Sequence, residues 1–374
     1  MSWVLAISGF ALLVVLHEAG HFTAAKAVGM RVERFFLFFP PKLVSIRRGE
    51  TEYGVGAIPL GGFVKITGMN PEEEIPPEVA HRAYYRQPVW KRIVVIAAGP
   101  LVNIVLALVL FFVLALGFGL DSGPTNTVGT VSSDLPAAEV LEPGDELIAI
   151  DGRRVAGLPP AKLAETVRDE VAKHRCAGEP TDGCVATTAA SLRVIRDGEP
   201  ITVDVKPVYD APEEVPGQPA VEPRMVIGFS YEPKRIDVSP GEAASFAADR
   251  LWWVTSQTAT VFSRIFDPEV RDQISGVVGA TEVTRQSFEF DARQAIGVLA
   301  VISLSLGLIN LLPFLPLDGG HIFWAVVEKI RGRPVPLRIM ERSGIVGFAL
   351  VLILFAIGLE NDIGRLTGEG FNVR

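Results

Sequence analysis

The residues best suited to chemistry are His17-Glu18-Ala19-Gly20-His21. Positions four apart share one face of a helix, so both imidazoles can bind a single zinc ion, and Glu18 between them can act as a base toward a water that the ion activates. Two of the chain's five histidines and a carboxylate thus occupy one turn of an otherwise apolar run. Ionisable groups at such depth are costly and default to function. A hydrolytic zinc centre usually has three protein ligands and one open position, so a third ligand must come from elsewhere. Asp318, in Leu315-Pro-Leu-Asp-Gly-Gly-His321, is the candidate, with His321 as its competitor. Asp-Gly-Gly ahead of a helix is also an ordinary N-cap, an alternative role for Asp318.

These residues need apolar elements to position them. Half of the 374 residues are apolar (49%) and 21% are charged, which hides four long apolar stretches: 3–28, 93–120, 295–317 and 343–359. Each is close to the roughly 17–25 residues that cross a bilayer core, and we read four transmembrane helices. Residues 31–92 carry ten Lys/Arg against seven acids, and 329–342 carries Lys329, Arg331, Arg333, Arg338 and Arg342. Residues 121–294 hold 17 basic and 29 acidic residues. The positive-inside rule therefore predicts cytoplasmic 31–92 and 329–342, an extracytoplasmic 121–294 and both termini outside. The first helix then brings His17 roughly 21 Å inward, and the third, before its breaks at Pro313 and Pro316, carries Asp318 roughly 30 Å or more inward. Both reach the cytoplasmic half. Met1–Gly9 has no positive segment, so the first run reads as a retained helix rather than a cleaved signal.

Between the first two helices, residues 35–69 read as β structure, with Gly61-Gly62 as a hairpin turn. Its apolarity suggests a loop dipping into the membrane, a small cytoplasmic hairpin being the alternative. Val128 to Val208 reads as a small α+β module: short alternating strands, helical spacing from Leu158 to Val171, and turn signals at Asp151-Gly152 and Asp197-Gly198. Residues 210–223 form a Pro/Glu-rich linker, and 242–294 an amphipathic region bearing Trp252 and Trp253, a pairing suited to a membrane surface. The chain thus divides into a first half of a membrane core (1–120), the module (121–210), a linker with a membrane-surface region (211–294) and a second half of the core (295–374). The module's Cys176 and Cys184 flank a loop with two glycines and a proline that a disulfide can close; two reduced thiols are the alternative. A net charge of −8 argues against nucleic-acid binding.

Together, His17–His21, Pro59-Leu-Gly-Gly-Phe-Val-Lys65, Ala98-Gly-Pro-Leu-Val-Asn103 and Asn310-Leu-Leu-Pro-Phe-Leu-Pro-Leu-Asp-Gly-Gly-His321 resemble the site-2 protease family, most nearly its bacterial RseP-like members of actinobacterial type. The resemblance spans nearly the whole chain, in the family's order. Within it, Val128–Val208 resembles one PDZ domain, where enterobacterial members carry two. The resemblance implies a polytopic α-helical membrane protein with four transmembrane helices, a membrane-associated β-hairpin and one inserted extracytoplasmic PDZ-like domain. It also implies a zinc metalloendopeptidase of the cell membrane with one zinc ion per chain, bound by His17, His21 and Asp318, with Glu18 catalytic. Its partners would be single-pass membrane substrates such as anti-sigma factors, already cut once outside, and peptide C-termini or proteins at the PDZ-like domain. Substrate would pair with the hairpin edge at Gly61, Gly62 and Phe63. Asn310 would bond substrate backbone or a developing oxyanion. Interhelical hydrogen bonding is the alternative for Asn310 and for Asn103. Two other function classes share the same residues, a metal or proton transporter built on broken helices and a non-catalytic membrane scaffold. The scaffold predicts that Glu18→Gln is silent.

Overall fold

The computed structural model describes residues 1–374 except 71–72, 212–222, 266, 273 and 369–374. Much of the expected 210–223 linker therefore lies outside the described residues. The chain forms two compact units, 1–117 with 239–374, and 118–238.

The first unit opens with helix α1 (Ser2–Ala27), whose run of apolar residues with no interior proline lets it continue unbroken. Strands β1 (Val32–Arg48) and β2 (Thr51–Ile66) follow. The turn between them falls at Gly49-Glu50, with Gly49 in the left-handed region (φ 62°), and not at Gly61-Gly62 as expected. Gly61-Gly62 instead lies inside β2, where the chain reverses direction and crosses from one side of 32–39 to the other, so the two limbs it joins do not pair with each other. Both strands bend, so 32–39 pairs with 51–58 on one side and with 62–66 on the other, while 42–48 adds outside 51–58. The result is a four-segment mixed sheet, antiparallel in its two outer pairings (32–37 with 62–66, 42–48 with 51–56) and with 34–39 and 52–58 running in the same direction. Its far end exposes Phe39, Leu43, Val44, Ile46 and Ile58.

Helix α2 (Val89–Phe118) closes the first half of this unit. Its first turns are tied to α1 by Lys91 Nζ, which donates to the Val28 carbonyl at 2.9 Å.

The second unit holds β3 (Leu120–Val131), β4 (Glu146–Ile150), β5 (Arg153–Arg154), helix α3 (Pro160–Val171), β6 (Ala190–Arg196), β7 (Glu199–Val205), β8 (Val208–Asp210), β9 (Arg224–Val226) and β10 (Phe229–Ile236). Its main sheet is antiparallel in the order β10-β3-β4-β6-β7, with β5 beside β4. Asp151-Gly152 and Asp197-Gly198 take positive φ at both positions, which gives the tight turns expected of them. Leu147, Ile150, Leu192 and Val194 meet Leu163 and Val167 of α3 in the core. Cys176 and Cys184 are joined by a disulfide.

The first unit resumes with α4 (Pro240–Ser263), capped at its start by a reciprocal Ser239–Glu242 pair. Short α5 (Pro268–Arg271), α6 (Val277–Phe290) and α7 (Ala292–Asn310) follow. Trp252 and Trp253 are exposed, while Ala247 and Val254 on the opposite face of α4 pack with Phe111 of α2 and Leu304 of α7.

The third apolar stretch is not one helix. It ends at Asn310, and after the segment bearing Pro313 and Pro316 a new helix, α8 (Asp318–Arg331), starts at Asp318 itself. Last comes α9 (Leu337–Thr367). Its fully buried Asp362 accepts hydrogen bonds from Ser275 Oγ (2.9 Å), Gly276 N (3.0 Å) and Gly279 N (2.7 Å) at the start of α6. Among the described residues, four helices, α1, α2, α7 and α9 from Arg338, are long and apolar enough to cross a membrane. With its β sheets, the chain is a polytopic membrane protein.

Candidate metal centre

Helix α1 places His17 and His21 one turn apart, their Nε2 atoms 3.3 Å from one another. The break after α7 delivers Asp318 to the same point: its Oδ2 lies 3.2 Å from His17 Nε2 and 3.3 Å from His21 Nε2. All three residues are largely buried, and Asp318 Oδ2 is enclosed without a hydrogen-bond donor among the described residues. Asp318 begins α8 but does not cap it; Leu317 holds the cap position and no side chain bonds there.

The triangle fits a zinc ion by its dimensions. Ligand atoms at about 2.0–2.1 Å from tetrahedral zinc stand roughly 3.3–3.4 Å apart, close to the three edges found here. The donor set, two imidazole nitrogens and one carboxylate oxygen, is the kind that zinc accepts in catalytic sites. Among the described residues these three form the converging group of metal-ligand type, and the competing His321 is not part of it.

Neighbouring backbone sets the ligand geometry. His21 Nδ1 lies 2.9 Å from the Val95 carbonyl, an acceptor that holds the proton on Nδ1 and leaves Nε2 bare. The two helices approach closely at glycines. A Cβ on Gly99 would lie 2.3 Å from His21 Nε2, and one on Gly20 would lie 2.5 Å from the Ala98 carbonyl oxygen. Helix α8 is anchored by Arg92 of α2, whose NH1 and NH2 donate to Glu328 Oε2 (3.0 Å) and Oε1 (2.6 Å).

Glu18 points to the sheet edge. A Cβ on Gly62 would come within 2.7 Å of its Cγ. The 62–66 segment is paired on one side with 32–37, and among the described residues no strand covers its other edge. Of the other expected site residues, Phe63 stacks on Phe36 and Phe39 within the sheet rather than beside Glu18. Gly61 stands near the Phe39 ring. Asn310 donates to the Leu306 carbonyl of its own helix at 3.0 Å.

Sequence reasoning passed over Gly99 as a steric partner of His21 and Arg92 as an anchor of α8. Arg92 had counted only as a topology-setting charge. The local signal for Gly99 was a glycine beside Pro100 inside an apolar span, a position where a close helix approach is a standard reason for the residue.

Two histidines, an aspartate and an adjacent glutamate, assembled on helices of membrane-crossing length, define the class: a membrane metallopeptidase. The family model described as Peptidase family M50 matches residues 5–354, and the chain belongs to that family, the site-2 proteases. It is 36% identical over 363 residues to Zinc metalloprotease Rip1 of Mycobacterium tuberculosis, a match covering 88% of this chain and 87% of the relative. Against Zinc metalloprotease Rip1 of Mycolicibacterium smegmatis it is 33% identical over 367 residues, covering 90% and 87%. The protein is a zinc metalloendopeptidase.

Proposed function

We propose that this endopeptidase cuts single-pass membrane proteins in or near the bilayer, with His17, His21 and Asp318 as its zinc ligands and Glu18 as its general base and acid. The observation that carries the reading is the ligand triangle with Glu18 set between it and the open edge of 62–66. Zinc, when bound there, supplies Lewis acidity that polarises a carbonyl and lowers the pKa of water to about 7. Glu18 takes the proton of the attacking water and delivers it to the leaving amide nitrogen.

A substrate helix must first unwind, because its carbonyls are tied into the helix. The open edge of 62–66 receives the extended segment by strand addition, with Gly62 leaving room beside Glu18. Gly61 and Phe63 act by shaping that edge, and the half-bonded Asn310 amide remains able to meet substrate backbone. The exposed apolar end of the sheet (Phe39, Leu43, Val44, Ile46, Ile58) supports its insertion into the membrane.

In this reading 31–92 and the α8–α9 link face the cytoplasm, and the termini and the second unit lie outside. The second unit, with its antiparallel sheet and α3, acts as a PDZ-like domain that receives peptide C-termini or partner proteins. The substrates are proteins such as anti-sigma factors whose outer part a first protease has removed, so the cut completes regulated intramembrane proteolysis.

The test is reconstitution of the full chain with a single-pass substrate. Wild type should cut and Glu18→Gln should not, while both retain zinc. Cleavage by both variants would sink the assignment of Glu18, and zinc retention by His21→Ala would sink that of the ligands.

A further inference from the structure

Among the described residues, the enclosed polar groups without partners include one on a member of the ligand triangle and one on the helix facing it. His17 Nδ1 has no hydrogen bond, although the equivalent nitrogen of His21 is held by the Val95 carbonyl. Asn103 on α2 is 0% exposed, and neither its Nδ2 nor its Oδ1 finds a partner. A buried carboxamide left unbonded costs on the order of 1–3 kcal/mol, so a fully orphaned one calls for an explanation.

Helix register brings the two groups to one level. α1 and α2 run antiparallel: Lys91 reaches the Val28 carbonyl, Gly20 abuts Ala98, and Gly99 abuts His21. Asn103 follows Gly99 by one turn on the same face of α2, just as His17 precedes His21 by one turn on the facing helix. α7 meets them at the same height. A Cβ on Gly307 would lie 3.3 Å from Asn103 Cβ, and Ser303 Oγ donates to the Asn103 backbone carbonyl at 2.9 Å. Because the Ser303 bond uses the backbone, the Asn103 side chain stays free.

We propose that Asn103 is the positioning residue for His17: its side-chain oxygen takes the Nδ1 proton of His17, leaving Nε2 bare toward Asp318 and His21. Val95 does this for His21 with a backbone carbonyl. The backbone carbonyl one turn further along α2, at Gly99, does not bond His17 Nδ1, so the task passes to a side chain. Second ring nitrogens of metal-ligating histidines are almost always held in this way, and loss of such a partner weakens metal binding by about 10–100-fold. The inference rests on the reading of His17, His21 and Asp318 as the zinc site.

The test uses the full chain in detergent and three readouts: zinc affinity by competition with a chromogenic chelator, the visible spectrum of the cobalt(II)-loaded protein, and the melting temperature after metal removal. Asn103→Leu keeps the volume but removes the acceptor; it should weaken zinc about 10–100-fold and alter the cobalt spectrum, with the metal-free melting temperature unchanged. Asn103→Asp keeps an acceptor and should stay within about threefold of wild type in affinity, with a wild-type cobalt spectrum. Ser303→Ala, which touches only the Asn103 backbone, should leave zinc affinity unchanged. Wild-type affinity and spectrum in Asn103→Leu would overturn the proposal, as would an Asn103→Asp variant that loses as much as Asn103→Leu. If Asn103→Leu does not fold, Asn103→Val asks the same question with a smaller side chain. Failure of wild type to bind zinc, or undiminished affinity in His21→Ala, would instead overturn the underlying ligand assignment.

Discussion

Gly99→Ala is the smallest change that addresses the ligand geometry directly. The added methyl would lie 2.3 Å from His21 Nε2, about 1 Å inside the 3.4 Å at which ordinary contact begins. Two responses are open to the protein. The helices can separate, but α1 and α2 are already in backbone contact at Gly20, so parting them loosens packing at a cost of about 1–3 kcal/mol. Alternatively the imidazole can swing, and its tie to the Val95 carbonyl at 2.9 Å is then lost. The higher helix propensity of alanine returns about 1 kcal/mol in either case, so metal-free stability should fall by no more than about 2 kcal/mol. The consequence for the site is larger, because a displacement of about 1 Å at a reacting centre can cost about 100-fold in rate. The assay is peptide-bond cleavage of a reconstituted substrate beside zinc competition and thermal melts of the metal-free protein. Gly117→Ala on the same helix meets open space and serves as the control. A Gly99→Ala protein that cuts and binds zinc like wild type would refute the argument that backbone approach sets the position of His21.

Two further outcomes follow from charges away from the ligands. Removing one partner of the Arg92–Glu328 pair, with Arg92 only 8% exposed, leaves a largely buried charge uncompensated; Glu328→Ala should destabilise by on the order of 3 kcal/mol, read by thermal melting, and a loss under about 0.5 kcal/mol would show that the pair does not anchor α8. In the second unit, burial by itself would raise the Asp145 carboxyl, but hydrogen bonds from Arg196 and the Glu142 backbone N–H outweigh it and hold the pKa below the usual aspartate value. A depressed folded pKa means that this contribution is complete above the unfolded value of about 3.9 and fades as pH falls through the folded one. The urea midpoint of this unit, followed by limited proteolysis, should therefore drop below about pH 4 in wild type and be flatter there in Asp145→Asn. Identical profiles would refute the linkage.

The spans were legible because hydrocarbon thickness imposes a length that a sequence displays directly. The stretch 3–28 became Ser2–Ala27, and 93–120 became Val89–Phe118. The His17–Glu18–His21 spacing was equally legible, since one helical turn is a local property. Strand folding was less so. Alternation marks 51–66 as extended but does not tell a hairpin from a crossover, and Gly61-Gly62 proved to be the place where β2 reverses and crosses to the other side of 32–39. Long-range partnerships were invisible for the same reason. Nothing near Arg92 announces Glu328, 236 residues away, because that pairing depends on the register of helices against one another.

Asp318 shows most clearly what helix register adds to a reading of depth. Gly9 packs on Leu299, so α1 and α7 run in the same direction, and Gly307 of α7 stands level with His17. If α7 continued straight, residue 318 would lie eleven residues beyond that level, roughly 16 Å too deep to share a metal with His17. Its Oδ2 is instead 3.2 Å from His17 Nε2. The segment between α7 and α8 must therefore return toward the site by nearly the distance that a continuous helix would have travelled. The residues after Asp318 make that return sterically feasible. A Cβ on Gly319 would lie 2.2 Å from the Leu311 carbonyl oxygen, and one on Gly320 would lie 2.4 Å from the Leu315 nitrogen, so the first turn of α8 packs directly on the backbone of the connecting segment. Pro313 and Pro316 stop the helix, and the glycine pair lets the chain fold back on itself. The aspartate stands where these two effects meet.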